Sequence, residues 1–148
     1  MTTPAARPPA APGDRAEAIE RIRAHGGRMT AAKRTVLDVV FGSGPPRTAE
    51  QIADAAAGVD RSVVYRCLRQ FEELGIASHV HLGHGQAVYR RRDLDSVPVA
   101  CAACGAVTEL DRDAVRDLER LVADETGIEL DLVHFPLTGR CGNCRTSD

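Results

Sequence analysis

The sequence predicts an α+β chain in two unequal parts, a winged-helix unit followed by a small α/β domain built around four cysteines. Three observations carry that expectation. Residues 48–75 read as a short helix, a tight turn and a second helix with a basic, hydroxyl-bearing face, the grammar of a helix-turn-helix. An alternating run, Ile76 to Leu82, follows at once and returns through Ala87, Val88 and Tyr89 after Gly83, His84 and Gly85, as a hairpin does. Two C-x-x-C pairs, Cys101/Cys104 and Cys141/Cys144, then stand with 36 residues between them.

Length and charge fit this division. The chain has 148 residues, room for two small domains. A domain of about 50 residues buries little apolar surface and often recruits a metal. Residues 1–92 hold 14 Lys/Arg and 9 Asp/Glu, net +5, whereas residues 93–148 hold 5 and 12, net −7. A basic front half suits a polyanion, and an acidic back half suits cations or solubility. Eighteen of the 19 basic residues are arginine, the better fork for phosphate and guanine edges. No apolar run reaches the ~18 residues of a membrane span, and the first residues lack a signal-peptide apolar region. The expected place is the cytoplasm, where thiols hold metal rather than pair as disulfides.

The elements follow in order. Residues 1–13 are rich in Ala, Pro and Thr and predict a disordered tail. Asp14 caps a helix to Ala24 with Ile19 and Ile22 inward, and Gly26-Gly27 stops it. Thr30 caps a second helix over 31–42, with Val36, Leu37, Val40 and Phe41 on one face. Lys33 and Arg34 sit in its first turns as a solvated pair or as DNA contacts. Thr48 and Gln51 form a capping box for a short Ala-rich helix. Asp60 caps the next helix, whose stripe is Val64, Leu68, Phe71 and Leu74, with Gly75 as its stop. Its other face carries Arg61, Ser62, Tyr65, Arg66 and Arg69, which read as contacts to bases or phosphates, with an ordinary polar helix face as the alternative. Cys67 on the same helix reads as a small buried apolar residue, with a thiol switch as the alternative.

Residues 93–98 read as a hinge between a domain over 14–92 and one over 99–148. In the second, a strand leads into Cys101 and another covers 106–110. Asp111 caps a helix over about 112–126, with Val115, Leu118, Leu121 and Val122 inward and Gly127 as its stop. The stretch 128–137 reads as strand. An exposed sheet edge here invites a second copy of the chain.

Cys101, Cys104, Cys141 and Cys144 are the complement of a closed tetrahedral zinc site. The alternative is a redox dithiol, which normally occurs once, at the start of a helix. A closed thiolate site has no open coordination position, and no nucleophile–base pair stands out, so a zinc-dependent enzyme is the weaker class.

The chain resembles the ferric uptake regulator (Fur) family of dimeric metal-responsive bacterial repressors over about residues 15–145. The resemblance rests on Arg28-Met29-Thr30-Ala31-Ala32-Lys33-Arg34, on Ser62-Val63-Val64-Tyr65-Arg66, and on the two cysteine pairs with Gly105 and Gly139-Arg140. It implies a homodimer on a pseudo-palindromic duplex. The stretch Ser78 to Gly85, with His134 to Cys141, is similar to the nickel-responsive branch (Nur). That likeness implies a regulatory metal site at His79, His81 and His134, with His84, Glu109 or solvent as a fourth ligand. Three imidazoles suit nickel, zinc, copper or iron(II), and a planar all-nitrogen set favours nickel or copper. Zinc- or iron-responsive regulation, and a regulator that has lost metal sensing, are the alternatives. The family's histidine-rich run before the first C-x-x-C is replaced by Asp95-Ser96-Val97-Pro98-Val99-Ala100, which implies that the second regulatory site of relatives is missing.

Overall fold

The structure, a computed structural model, describes residues 11–82, 86–92 and 95–146. Its first domain packs four helices on a small sheet. Helices α1 (Arg15–Ala24), α2 (Ala31–Phe41), α3 (Ala49–Ala55) and α4 (Arg61–Glu73) each begin at a residue whose side chain accepts an amide of the first turn: Asp14, Thr30, Thr48 and Asp60. At α3 the box is reciprocal, since Gln51 Oε1 also accepts the Thr48 N–H. Each cap answers amides that the helix itself leaves unpaired. Gly75 takes φ +68° after α4, a conformation that only glycine adopts without cost.

Strands β1 (Arg47–Thr48), β2 (Ala77–His81) and β3 (Ala87–Arg91) form the wing sheet in the order β1-β3-β2, all antiparallel. Among the described residues thirteen side chains close one core, including Ile22, Val36, Leu37, Ile52, Val64, Leu68, Phe71 and Ile76. Most of the stretch expected as a tail lies outside the described residues, but its last residues pack on the domain. Pro12 is buried, and the Gly13 carbonyl accepts from Arg91 Nη2 at 3.1 Å.

The second domain holds β4 (Ser96–Cys101), β5 (Val107–Asp111), α5 (Arg116–Thr126), β6 (Leu137–Gly139) and the short α6 (Gly142–Arg145). The strand order is β5-β4-β6, with β4 antiparallel to β5 and parallel to β6. Its core among the described residues is Val97, Val115 and Leu132, flanked by Leu130 and Leu137.

Strand β4 begins within the stretch expected as a hinge, with Ser96 opposite Asp111. Two expectations need correction. The helix expected from 112 opens as a 3-10 turn over Arg112–Val115, and Leu118 and Leu121 face outward at 42% and 57% exposure. The small apolar cluster of this domain takes Val115 and leaves Leu118 and Leu121 uncovered. The strand expected over 128–137 is confined to Leu137–Gly139. Asp131 Oδ1 accepts the amides of Val133 and His134, both at 3.1 Å, which turns the backbone away from a ladder.

Candidate metal centre and nucleic-acid interface

The four cysteines meet where β4, β6 and α6 converge. Pairing of β4 with β6 sets Cys101 beside Gly139. Gly105, at φ +74°, closes the first knuckle by donating its N–H to the Cys101 carbonyl at 2.9 Å. The second pair straddles the start of α6, whose Cys144 N–H reaches the Cys141 carbonyl at 3.1 Å. The four Sγ atoms lie within 4.8 Å of one another. Thiolates about 2.3 Å from a tetrahedral zinc stand about 3.8 Å apart, and Cys104 and Cys141 Sγ are 3.8 Å apart. The four-thiol arrangement fits zinc.

The protons of this cluster follow from the same contacts. The N–H groups of Cys141, Cys104 and Ala103 hold the Cys101 thiol down at about 6. The Cys141 thiol is lowered as well, first by the Cys144 N–H. The Cys144 thiol is pushed up to about 12, first by the Cys141 side chain and then by Cys104. Crowded thiolates repel, so the last proton leaves readily only when a cation takes its place.

Helix α4 divides into two faces. Val64, Cys67, Leu68 and Phe71 are buried. Arg61, Ser62, Tyr65, Arg66 and Arg69 are exposed together. Arg61 is tied to Asp54 at 2.9 Å, and Ser62 Oγ donates to the cap Asp60 at 2.5 Å. Among the described residues no salt bridge engages Arg66, Arg69 or Arg34, while Lys33 is half-buried at the start of α2. Burial pushes the Cys67 thiol up, which disfavours the reactive thiolate.

The histidines gather at the junction of the domains. His79 and His81 stack edge-on with ring centroids 4.9 Å apart on β2. The His81 N–H donates to the His134 carbonyl at 3.3 Å, joining the wing to the second domain. His79 Nδ1 contacts Glu72 Oε1, and His134 Nδ1 lies 3.0 Å from Asp131 Oδ2. The three imidazoles do not converge as the thiols do. Among the described residues the cysteines are the one cluster of three or more ligand atoms within such a radius. His84 lies outside the described residues. Glu109 is already engaged, for Arg90 Nη1 donates to its Oε1 at 2.9 Å and Ser96 Oγ donates to its Oε2 at 3.1 Å. Arg90, 6% exposed, also gives Nη2 to the Ser96 carbonyl at 2.9 Å. This clasp fastens the wing strand β3 to β4 and β5.

The sequence profile described as the ferric uptake regulator family matches residues 24–137, most of both domains. The chain belongs to the ferric uptake regulator family. Members of this family are metal-responsive transcription regulators, not enzymes. The chain is 25% identical over 132 residues to the peroxide operon regulator of Bacillus subtilis, covering 86% of this chain and 91% of that protein. It is 29% identical over 100 residues to the ferric uptake regulation protein of Yersinia pestis, covering 66% and 68%. The solved ferric uptake regulator of Helicobacter pylori superposes with a TM-score of 0.73 at 19% identity, covering 90% and 95%; at that identity the likeness concerns the fold.

In this Fur family member the carboxylates on the histidines and the Arg90 clasp went unread in the sequence. Two signals were there to use. Asp131 and His134 stand three apart within one turn, and Arg90 shares the inward face of β3 with Val88, two residues away. Glu72 and His79 have no such signal, since a helix end and a strand start bring them together.

Proposed function

We propose that this Fur family member is a homodimeric, metal-responsive repressor that reads a pseudo-palindromic duplex with α4 and senses nickel through His79, His81 and His134, in the manner of the Nur branch. The reading of the sensor rests on one observation, the bond from the His81 N–H to the His134 carbonyl, which sets histidines of both domains at one junction. The donor set fits nickel, zinc or iron(II). An ion held across the junction favours one placement of the domains, and so one spacing of the two recognition helices.

Support for DNA binding comes from the one-sided α4. Arg66 and Arg69 are free to meet bases or phosphates, with Arg61, Ser62, Tyr65, Lys33 and Arg34 around them. Support for the dimer comes from Leu110, Leu118, Leu121, Ile128 and Phe135, all at least 40% exposed on the second domain. Isolated apolar residues on a surface are ordinary, but five large ones on one small domain favour a partner that covers them. Arg66→Ala weakens specific duplex binding about tenfold and leaves the dimer intact, as read by anisotropy titration and by sedimentation. A monomer at micromolar concentration, with no salt-dependent DNA binding under any metal, would point to a protein-binding module instead.

For the sensor, His79→Ala/His81→Ala abolishes the nickel dependence of DNA affinity while the zinc content stays at the wild-type level. A metal response that survives intact in this variant places the sensor elsewhere. A second reading, a regulator that has lost metal sensing, draws on the Arg90 clasp, because a guanidinium already bridges the domains without any ion. Equal DNA affinity with and without nickel, zinc and iron in the wild-type protein would favour it.

A further inference from the structure

Two of the three sensor histidines carry a carboxylate on the same ring atom. Glu72, in the last turn of α4, meets His79 Nδ1. Asp131 meets His134 Nδ1 at 3.0 and 3.2 Å through its two oxygens. The two pairs arise from unrelated elements, one a helix end against a strand and the other a loop against itself. An ionised carboxylate only accepts hydrogen bonds, so the ring nitrogen facing it carries the hydrogen. In a neutral imidazole the lone pair then lies on Nε2. Glu72, His79, Arg92, Val133 and His134 line one cleft at the domain junction. Asp131 is further fixed by the amides of Val133 and His134, which hold Oδ1 at 3.1 Å each.

From this pattern we infer that Glu72 and Asp131 are positioning carboxylates for the histidine site: each holds the Nδ1–H of its imidazole, so that His79 and His134 present Nε2 to a metal ion. The inference rests on the proposed role of His79, His81 and His134. Outer carboxylates of this kind orient a ligating histidine and raise its basicity. The two are unequal. The side chains of His79 and Glu72 are 34% and 27% exposed, whereas those of His134 and Asp131 are 56% and 49% exposed. Solvent competes more at the second pair, so Glu72 carries the larger effect. Glu72 also lies on α4 itself, one face of which bears Tyr65, Arg66 and Arg69. Its bond to His79 thus anchors the site to the recognition helix.

The test is nickel titration of the full-length, zinc-loaded protein against a competing chelator, together with nitrogen-15 NMR of the imidazoles. In the wild-type apo sensor site, His79 and His134 show the Nδ1–H tautomer. Glu72→Ala lowers nickel affinity about 10- to 100-fold and mixes the His79 tautomers. Asp131→Ala lowers it a few-fold. Glu72→Gln stays within a few-fold of wild type, because the amide oxygen still accepts the Nδ1–H. Unchanged zinc content and melting temperature establish that each variant is folded, and Glu72→Gln serves where Glu72→Ala is not. Equal losses in Glu72→Gln and Glu72→Ala, with one oxygen fewer around nickel by X-ray absorption, would make Glu72 a direct ligand and overturn the inference. So would unchanged affinity and unchanged tautomers in both alanine variants, provided that His79→Ala/His81→Ala abolishes nickel binding. If that double variant binds nickel as the wild type does, the proposed sensor itself is wrong.

Discussion

Replacing Cys101 by serine removes the metal of the four-cysteine site and melts the second domain, while the winged helix remains folded. The size of the two cores decides this. Among the described residues the apolar cluster of the second domain is Val97, Val115 and Leu132, against thirteen residues in that of the first. A domain with so small a core depends on an added constraint, and a structural zinc contributes about 10–16 kcal/mol of folding free energy. Elemental analysis of Cys101→Ser should find no zinc equivalent, and a melting scan should lose the transition of the second domain. A full equivalent with a wild-type melt would disprove the assignment. Acid should act in the same direction. Metal binding displaces protons, so affinity rises with pH and falls as the thiols regain them. Zinc retention by dialysed protein therefore falls as the solution is acidified.

Arg90→Ala costs about 3 kcal/mol, the lower end of what breaking a buried ion pair costs. The loss comes from Glu109, left at the junction without its guanidinium. Its side chain is 26% exposed, so water recovers part of the energy. Ser96 also loses two donors, one to its hydroxyl and one to its carbonyl. Removing both charges is milder than removing one. Arg90→Met with Glu109→Leu restores most of the stability, because apolar groups of like volume replace buried pairs at little cost. Denaturant titration of the two single variants and the double variant measures this as a coupling energy. A coupling near zero would mean that the clasp adds nothing to the junction. The same variants report on regulation, since a junction without its fixed cation has more freedom for an ion to restrict.

The elements of the first domain were legible because local chemistry sets them. Asp14, Thr30, Thr48 and Asp60 each cap the helix expected of them, and Val64, Leu68 and Phe71 lie in the core. The cysteine cluster was legible for the same reason: two short motifs bring their own turns. What was not legible depends on the size of the core and on contacts across the junction. The pattern of α5 marked Leu118 and Leu121 as apolar without revealing that their own domain has no place for them. At 128–136 the residues favour a strand, but the Asp131 side chain takes the amides that a strand would use. Among the arginines 90–92, alternation with Val88 marks Arg90 as inward, but its partners Ser96 and Glu109 come from β4 and β5, while the Arg91 guanidinium lies 4.5 Å above the Phe41 ring.

The parallel pairing of β4 with β6 has a consequence in time. Cys101 must find Gly139 and the thiols beyond it, whereas the helices of the first domain contact near neighbours in sequence and assemble fast. Closing a loop of that length costs about 3 kcal/mol of chain entropy, and nothing repays it until the second thiol pair has been synthesised and an ion captured. A newborn chain would then be a winged helix trailing an unassembled acidic segment. Zinc taken up at this site would set the age at which the regulator matures. An ion held by about 10–16 kcal/mol would be acquired once per molecule, on the timescale of synthesis rather than of signalling.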